Sequence, residues 1–105
     1  MKKALIIISA EKPNAETLSG EIQSFLKDNN IDFSVYRYTG LPLSAELQDD
    51  YDFAVSLGGD GAVLFAARYC APKNIPVFPV NLGRFGFIAD IEPKVWKREL
   101  MRFLN

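Results

Sequence analysis

The chain predicts an α/β fold, a three-layer sandwich with helices on both sides of a mostly parallel β-sheet. Two observations carry that expectation. Apolar runs of strand character alternate with helix-period segments about four times along 105 residues, and parallel strands need crossover connections of this kind. The first run, Ala4-Leu5-Ile6-Ile7-Ile8, is apolar without interruption, the pattern of a strand covered on both faces.

Residues 4–8 make the first strand. The polar stretch Glu11-Lys12-Pro13-Asn14 follows, with Asn14 as helix N-cap, its side-chain oxygen accepting from a free N–H of the first turn. Leu18, Ile22, Phe25 and Leu26 then form one apolar helical stripe, ended by Asp28-Asn29-Asn30. Residues 32–38, with Phe33, Val35 and Tyr36, have β-favouring composition and make the second strand. Residues 39–50 are ambiguous, because Gly40 and Pro42 break structure and only Ser44 to Leu47 has room for a helical turn. Residues 52–57 read as the third strand, stopping at Gly58-Gly59. Residues 62–69 are apolar on every side, which suits a short helix packed deep against a sheet. After a connection at 72–76, residues 77–80 form the fourth strand. Pro76 starts it and Pro79 lies inside it, so an edge position fits best. Glu92-Pro93 opens the last helix with Pro93 at its first position, and Trp96, Leu100 and Phe103 supply its stripe.

Composition sets the limits. An apolar content of 49% over 105 residues supports one core, hence a single α/β domain over residues 1–105. The absence of histidine excludes Ser-His and Cys-His nucleophilic machinery and histidine-containing zinc sites. The single cysteine, Cys70, cannot form an internal disulfide; following an apolar helix, it reads as a small buried residue. Lys+Arg 12 against Asp+Glu 13, a net charge of −1, gives no electrostatic reason to expect a nucleic-acid or membrane-surface partner. No apolar run approaches the roughly 20 residues of a bilayer span. The run after Met1-Lys2-Lys3 is too short for a signal peptide, so a soluble, cytoplasmic protein is expected. Lys94, Lys97, Arg98 and Arg102 read as the solvated face of the last helix.

Ligands of parallel α/β sheets bind beyond the carboxyl ends of the strands, and two glycine-rich segments take such positions. The first is Ser56-Leu57-Gly58-Gly59-Asp60-Gly61-Ala62, directly after the third strand and opening a helix. Gly58, Gly59 and Gly61 let a ligand approach bare backbone, and the helix N-terminus offers N–H donors and partial positive charge. Asp60 is the one side chain among them. That field holds its carboxylate ionised, able to accept a proton from a substrate hydroxyl or to sit near a metal-bound phosphate; in the plainer reading it only caps the helix. Neither the GxGxxG fingerprint nor the P-loop pattern is present. The second segment runs from Val80 to Asp90. Asn81 bonds either its own backbone or a ligand, and Gly83 and Gly86 permit close approach. Arg84 either meets a phosphate or stays solvated. Phe85 and Phe87 point the same way in an extended chain, as core or, for Phe87, as a stacking ring. The acidic run Asp49-Asp50 with Asp52 is a weaker candidate for a metal site.

Gly58-Gly59-Asp60-Gly61, then Ala66-Ala67-Arg68, Pro76-Val77 and Asn81-x-Gly83-x-x-Gly86-Phe87, resemble the N-terminal domain of the NAD kinases, which show GGDGT and NxGxLGFL in this order. The resemblance covers essentially the whole chain and implies a Rossmann-like domain. It implies phosphoryl transfer from ATP, or polyphosphate, to the 2′-hydroxyl of the adenosine ribose of NAD, giving NADP, with a divalent cation, expected to be magnesium. On that basis Asp60 is the base or hydroxyl-orienting carboxylate. Gly58, Gly59, Gly61, Asn81, Gly83, Arg84 and Gly86 bind the nucleotide, and Phe87 contacts the adenine side. The resemblance also implies a C-terminal β domain absent from this chain and a homo-oligomer in the complete protein, so the chain alone is expected to be inactive. Two residues depart from the family pattern: Ala62 replaces a threonine and Phe85 a leucine. The alternatives are a lipid or sugar kinase of the same superfamily, and a non-catalytic flavodoxin- or receiver-like module.

Overall fold

Five consecutive aliphatic residues can all be buried only if their strand has neighbours on both edges and layers on both faces. Strand β1 (Lys3–Ser9) has all four, and residues 4–8 are fully buried. The structure, a computed structural model, describes residues 2–9, 14–38, 50–82 and 91–104. β1 pairs in parallel with β2 (Asp32–Tyr38) on one edge and with β3 (Phe53–Gly58) on the other. β4 (Val77–Asn81) adds to β3, giving the order β2-β1-β3-β4 in one parallel sheet.

The two faces follow from side-chain alternation along a strand. Ala4, Ile6 and Ile8 join Phe53, Val55, Leu57, Phe78 and Val80 against α1 (Ala15–Asp28) and α3 (Trp96–Leu104). Leu5, Ile7 and Ala54 face the other way, onto Ala66, Tyr69 and Cys70 of α2 (Asp60–Cys70). These are the three layers the sequence predicts. Trp96 meets Phe25 edge-to-face at 5.7 Å and joins α3 to α1, while Phe103 packs edge-on against Phe53 and Phe78.

Several local expectations need correction. Asn14 occupies the N-cap position of α1, but its side chain makes no capping bond. Its φ and ψ of −92° and 0° are helical, whereas a capping side chain needs extended backbone; its carbonyl accepts from Leu18 N–H at 3.1 Å. Helix α2 begins at Asp60 rather than Ala62, and it is not buried all round: Leu64 is 46% exposed and Ala67 and Arg68 face solvent. Pro93 opens a 3₁₀ turn, Pro93–Val95, and α3 follows it. Lys94, Lys97, Arg98 and Arg102 are exposed as expected.

Pro79 is accommodated by the geometry of its neighbours. Asn81 N–H donates to the Ile91 carbonyl at 2.8 Å, and Ile91 N–H donates to that of Pro79 at 3.1 Å. The backbone of Pro79 and Asn81 therefore points away from β3, and the missing N–H removes no bond of the β3–β4 ladder. Among the described residues, no helix is long and apolar enough to cross a membrane.

Candidate functional site

From β1 the chain goes through α1 to β2 on one side, and from β3 through α2 to β4 on the other. The two connections diverge at the carboxyl ends of β1 and β3, which makes a crevice at the point where doubly wound sheets take their ligands. Ser9 ends β1 there and Gly58 ends β3. A Cβ on Gly58 would lie 2.7 Å from the Cβ of Ser9 and 3.0 Å from that of Ala62. Only glycine lets the strand end and the first turn of α2 come this close. Gly59 is the N-cap, in extended conformation at φ −101° and ψ −155°, so strand becomes helix within one residue. The first intrahelical bond runs from Val63 N–H to the Gly59 carbonyl at 3.3 Å. The N–H groups of Asp60, Gly61 and Ala62 precede it, at the positive end of the helix dipole.

Gly61 is exposed, and a Cβ there would stand 3.8 and 3.9 Å from the ring and hydroxyl of Tyr38. Tyr38, the last residue of β2, thus borders the bend, its ring 4.8 Å from that of Phe65. On the opposite side, Asn81 is in register with Gly58, and Leu82 N–H donates to the Gly58 carbonyl at 2.9 Å. The two glycine-rich segments therefore leave adjacent strands from paired positions. On the α1 and α3 side of the same strand ends lies a cleft of about 560 Å³, bordered by Asn14, Thr17, Asn81, Leu82 and Lys94 among others.

Of the site residues expected from sequence, Gly58, Gly59, Gly61 and Asn81 come together here. The backbone of Asp60 opens α2 and its side chain lies outside what the structure describes; the cap position itself belongs to Gly59. Gly83, Arg84, Gly86 and Phe87, with Phe85, lie outside the described residues. Asp49 does too, and Asp52 has a structural task at the far end of the sheet, its Oδ2 accepting from Lys3 N–H at 2.7 Å. Cys70 is fully buried, and burial pushes its thiol up to about 11, against a nucleophilic role. Among the described residues, no three histidine, cysteine or acidic side chains gather to hold a metal. Ser9 and Tyr38 border the bend without having been singled out in the sequence. For Ser9 a signal existed: it is the polar residue that closes the aliphatic run, at a strand's carboxyl end.

The strand order is common to doubly wound folds and would serve a flavodoxin-like module equally well. The family model of the ATP-NAD kinase N-terminal domain matches residues 10–105. The chain belongs to the NAD kinase family. It is 62% identical, over its whole length, to the NAD kinase of Treponema denticola, of which it spans 37%. The NAD kinase of Treponema pallidum strain Nichols is 44% identical over 97% of the chain, which covers 33% of that protein. The NAD kinase of Borreliella burgdorferi is 31% identical over 98% of the chain, covering 38% of its own length. The chain thus spans little more than a third of the NAD kinases it matches. The family resemblance carried by residues 58–61 and 81–87 is borne out.

Proposed function

We propose that this chain is the nucleotide-binding domain of an NAD kinase that transfers a phosphoryl group from ATP, or polyphosphate, to the 2′-hydroxyl of the adenosine ribose of NAD. The observation that supports it most is the side-chain-poor bend at residues 58–61, set at the switch point of the sheet in a chain of this family. Phosphoryl transfer asks for positioning and charge neutralisation more than covalent chemistry, and the first turn of α2 offers backbone donors for both. In this reading the Asp60 carboxylate takes the proton of the 2′-hydroxyl as that oxygen bonds to the terminal phosphorus and the donor's bridging oxygen leaves with its electron pair. Asn81, Gly83, Arg84, Gly86 and Phe87 continue the nucleotide site from the second segment. The divalent cation that the family resemblance implies would come with the phosphates of the donor, as part of the substrate. The relatives' greater length is consistent with a cleft completed by a second, β domain, and with a chain inactive alone. A cytoplasmic homo-oligomer is the assembly that goes with this reading.

The test is Asp60→Asn in the full-length protein. Turnover should fall by about 10²- to 10⁴-fold, the usual contribution of a positioned base, with the thermal midpoint unchanged. Full activity in that variant overturns the role of the carboxylate. NADP formation by the 105-residue chain alone would equally overturn its expected inactivity.

A further inference from the structure

We propose that Tyr38, the last residue of β2, is a positioning residue: its ring holds the first turn of α2, and with it the backbone of Asp60, where phosphoryl transfer needs it. The inference rests on the reading above in which Asp60 carries the chemistry, and adds the side chain that steadies it. The bend has little of its own to fix it. Three of residues 58–61 are glycines, which give up the most backbone freedom on folding. At one end, Ser9 and Ala62 close in on Gly58. At the other end Gly61 is exposed. Among the described residues, Tyr38 supplies the only atoms beyond that helix within 4 Å of the point where a Cβ on Gly61 would stand, Cε2 at 3.8 Å and Oη at 3.9 Å.

The tyrosine is itself held in place. Residues 36 and 38 point to the same face of the edge strand, and Phe65 of α2 lies against both rings. It stacks on Tyr36 at 5.3 Å with an interplanar angle of 3°, and on Tyr38 at 4.8 Å with a tilt of 37°. Phe65 follows Gly61 by four residues, so the two share one side of α2, a turn apart. Tyr38 therefore meets the helix at two successive turns, while Tyr36 packs on Phe65, a turn further from the bend. Tyr38 is also level with Ser9 in the β1–β2 pairing, and Ser9 adjoins Gly58, so a small side chain is what separates the ring from the strand end. A displacement of about 1 Å in a reacting group can cost on the order of 10²-fold in rate. A carboxylate carried on a glycine-rich turn keeps its place when packing supports that turn.

The experiment measures turnover of NAD and ATP by the full-length protein and its variants, together with thermal midpoints. In Tyr38→Leu, kcat and kcat/KM should fall together by roughly 10- to 100-fold, the loss expected of a misplaced reacting group. Tyr36→Leu takes the other ring from Phe65, so it should lower the thermal midpoint as well but leave kcat at the wild-type level. Equal losses of kcat in the two leucine variants mark a general loosening of α2 and overturn the inference. Tyr38→Phe keeps the ring and drops the hydroxyl, so it should turn over as the wild type does. A loss as large as leucine's would assign the effect to the hydroxyl and overturn positioning by the ring. In an Asp60→Asn background, Tyr38→Leu should cost no further rate, because the group it positions is gone; the same fold-loss in both backgrounds overturns the inference. Wild-type kcat in Tyr38→Leu overturns it too and leaves the NAD kinase reading standing. Full turnover in Asp60→Asn alone overturns the reading on which it rests.

Discussion

Gly58 and Gly61 stand in one bend and meet opposite surroundings. A methyl group at Gly58 would press on two Cβ atoms, 2.7 and 3.0 Å away, both fixed to backbone that cannot swing aside. Gly58→Ala should therefore cost roughly 1–3 kcal/mol, as overpacked sites do, read as a lower urea midpoint at unchanged slope. At Gly61 the nearest atom is 3.8 Å away, an ordinary contact, and alanine suits a helix better than glycine. Gly61→Ala should leave stability level or raise it by up to about 1 kcal/mol. Cys70 adds a pH dependence. Burial raises its thiol from the ordinary 9.0 to about 11, so between those values the unfolded chain releases a proton that the folded chain keeps. This contribution to stability is complete below pH 9 and is lost as the pH rises through 11. Urea midpoints across that window should fall for the wild type, and less steeply for Cys70→Ala.

Helices and strands were legible from periodicity, while their ends depend on backbone angles that composition conceals. The stripe of Leu18, Ile22, Phe25 and Leu26 is buried as read, but Asn14 stands at the cap in helical conformation and leaves its side chain unused. The stop signal at Asn29-Asn30 has a clear physical form. Asn30 is left-handed at φ 58°, its N–H donates to the Lys27 carbonyl, and Ile31 N–H reaches back to that of Leu26, a Schellman motif. Asn74, also at φ 58°, repeats those bonds after α2, with Ile75 donating to the Cys70 carbonyl. Inside α1, Gly20 has nothing within 4 Å of its would-be Cβ. Gly20→Ala should stabilise the protein by about 0.5–1 kcal/mol, the ordinary helix gain, seen as a higher thermal midpoint. The Arg37 guanidinium, bound to Glu16 at 2.8 and 2.9 Å, ties β2 to α1. That bond holds the Glu16 carboxyl below its usual range. Its contribution is present above the ordinary carboxylate range and fades as the pH falls, and salt weakens it because both groups are exposed.

For the molecule as a whole, the bend was visible because its glycines are consecutive and follow a strand; its neighbours were not. Ser9 and Tyr38 reach the bend only because β1 and β2 end beside it in a parallel sheet, and that order is a property of the assembled layers. The same order has a consequence during synthesis. Residues 3–9 precede the other strands in the chain, yet they take an interior place with partners on both sides that are translated later. Removing them by translation from an internal start would leave β2 with no strand beside it and β3 with an open margin. A shortened product of that kind should appear in the insoluble fraction, and a soluble one would contradict this view of how the sheet is held.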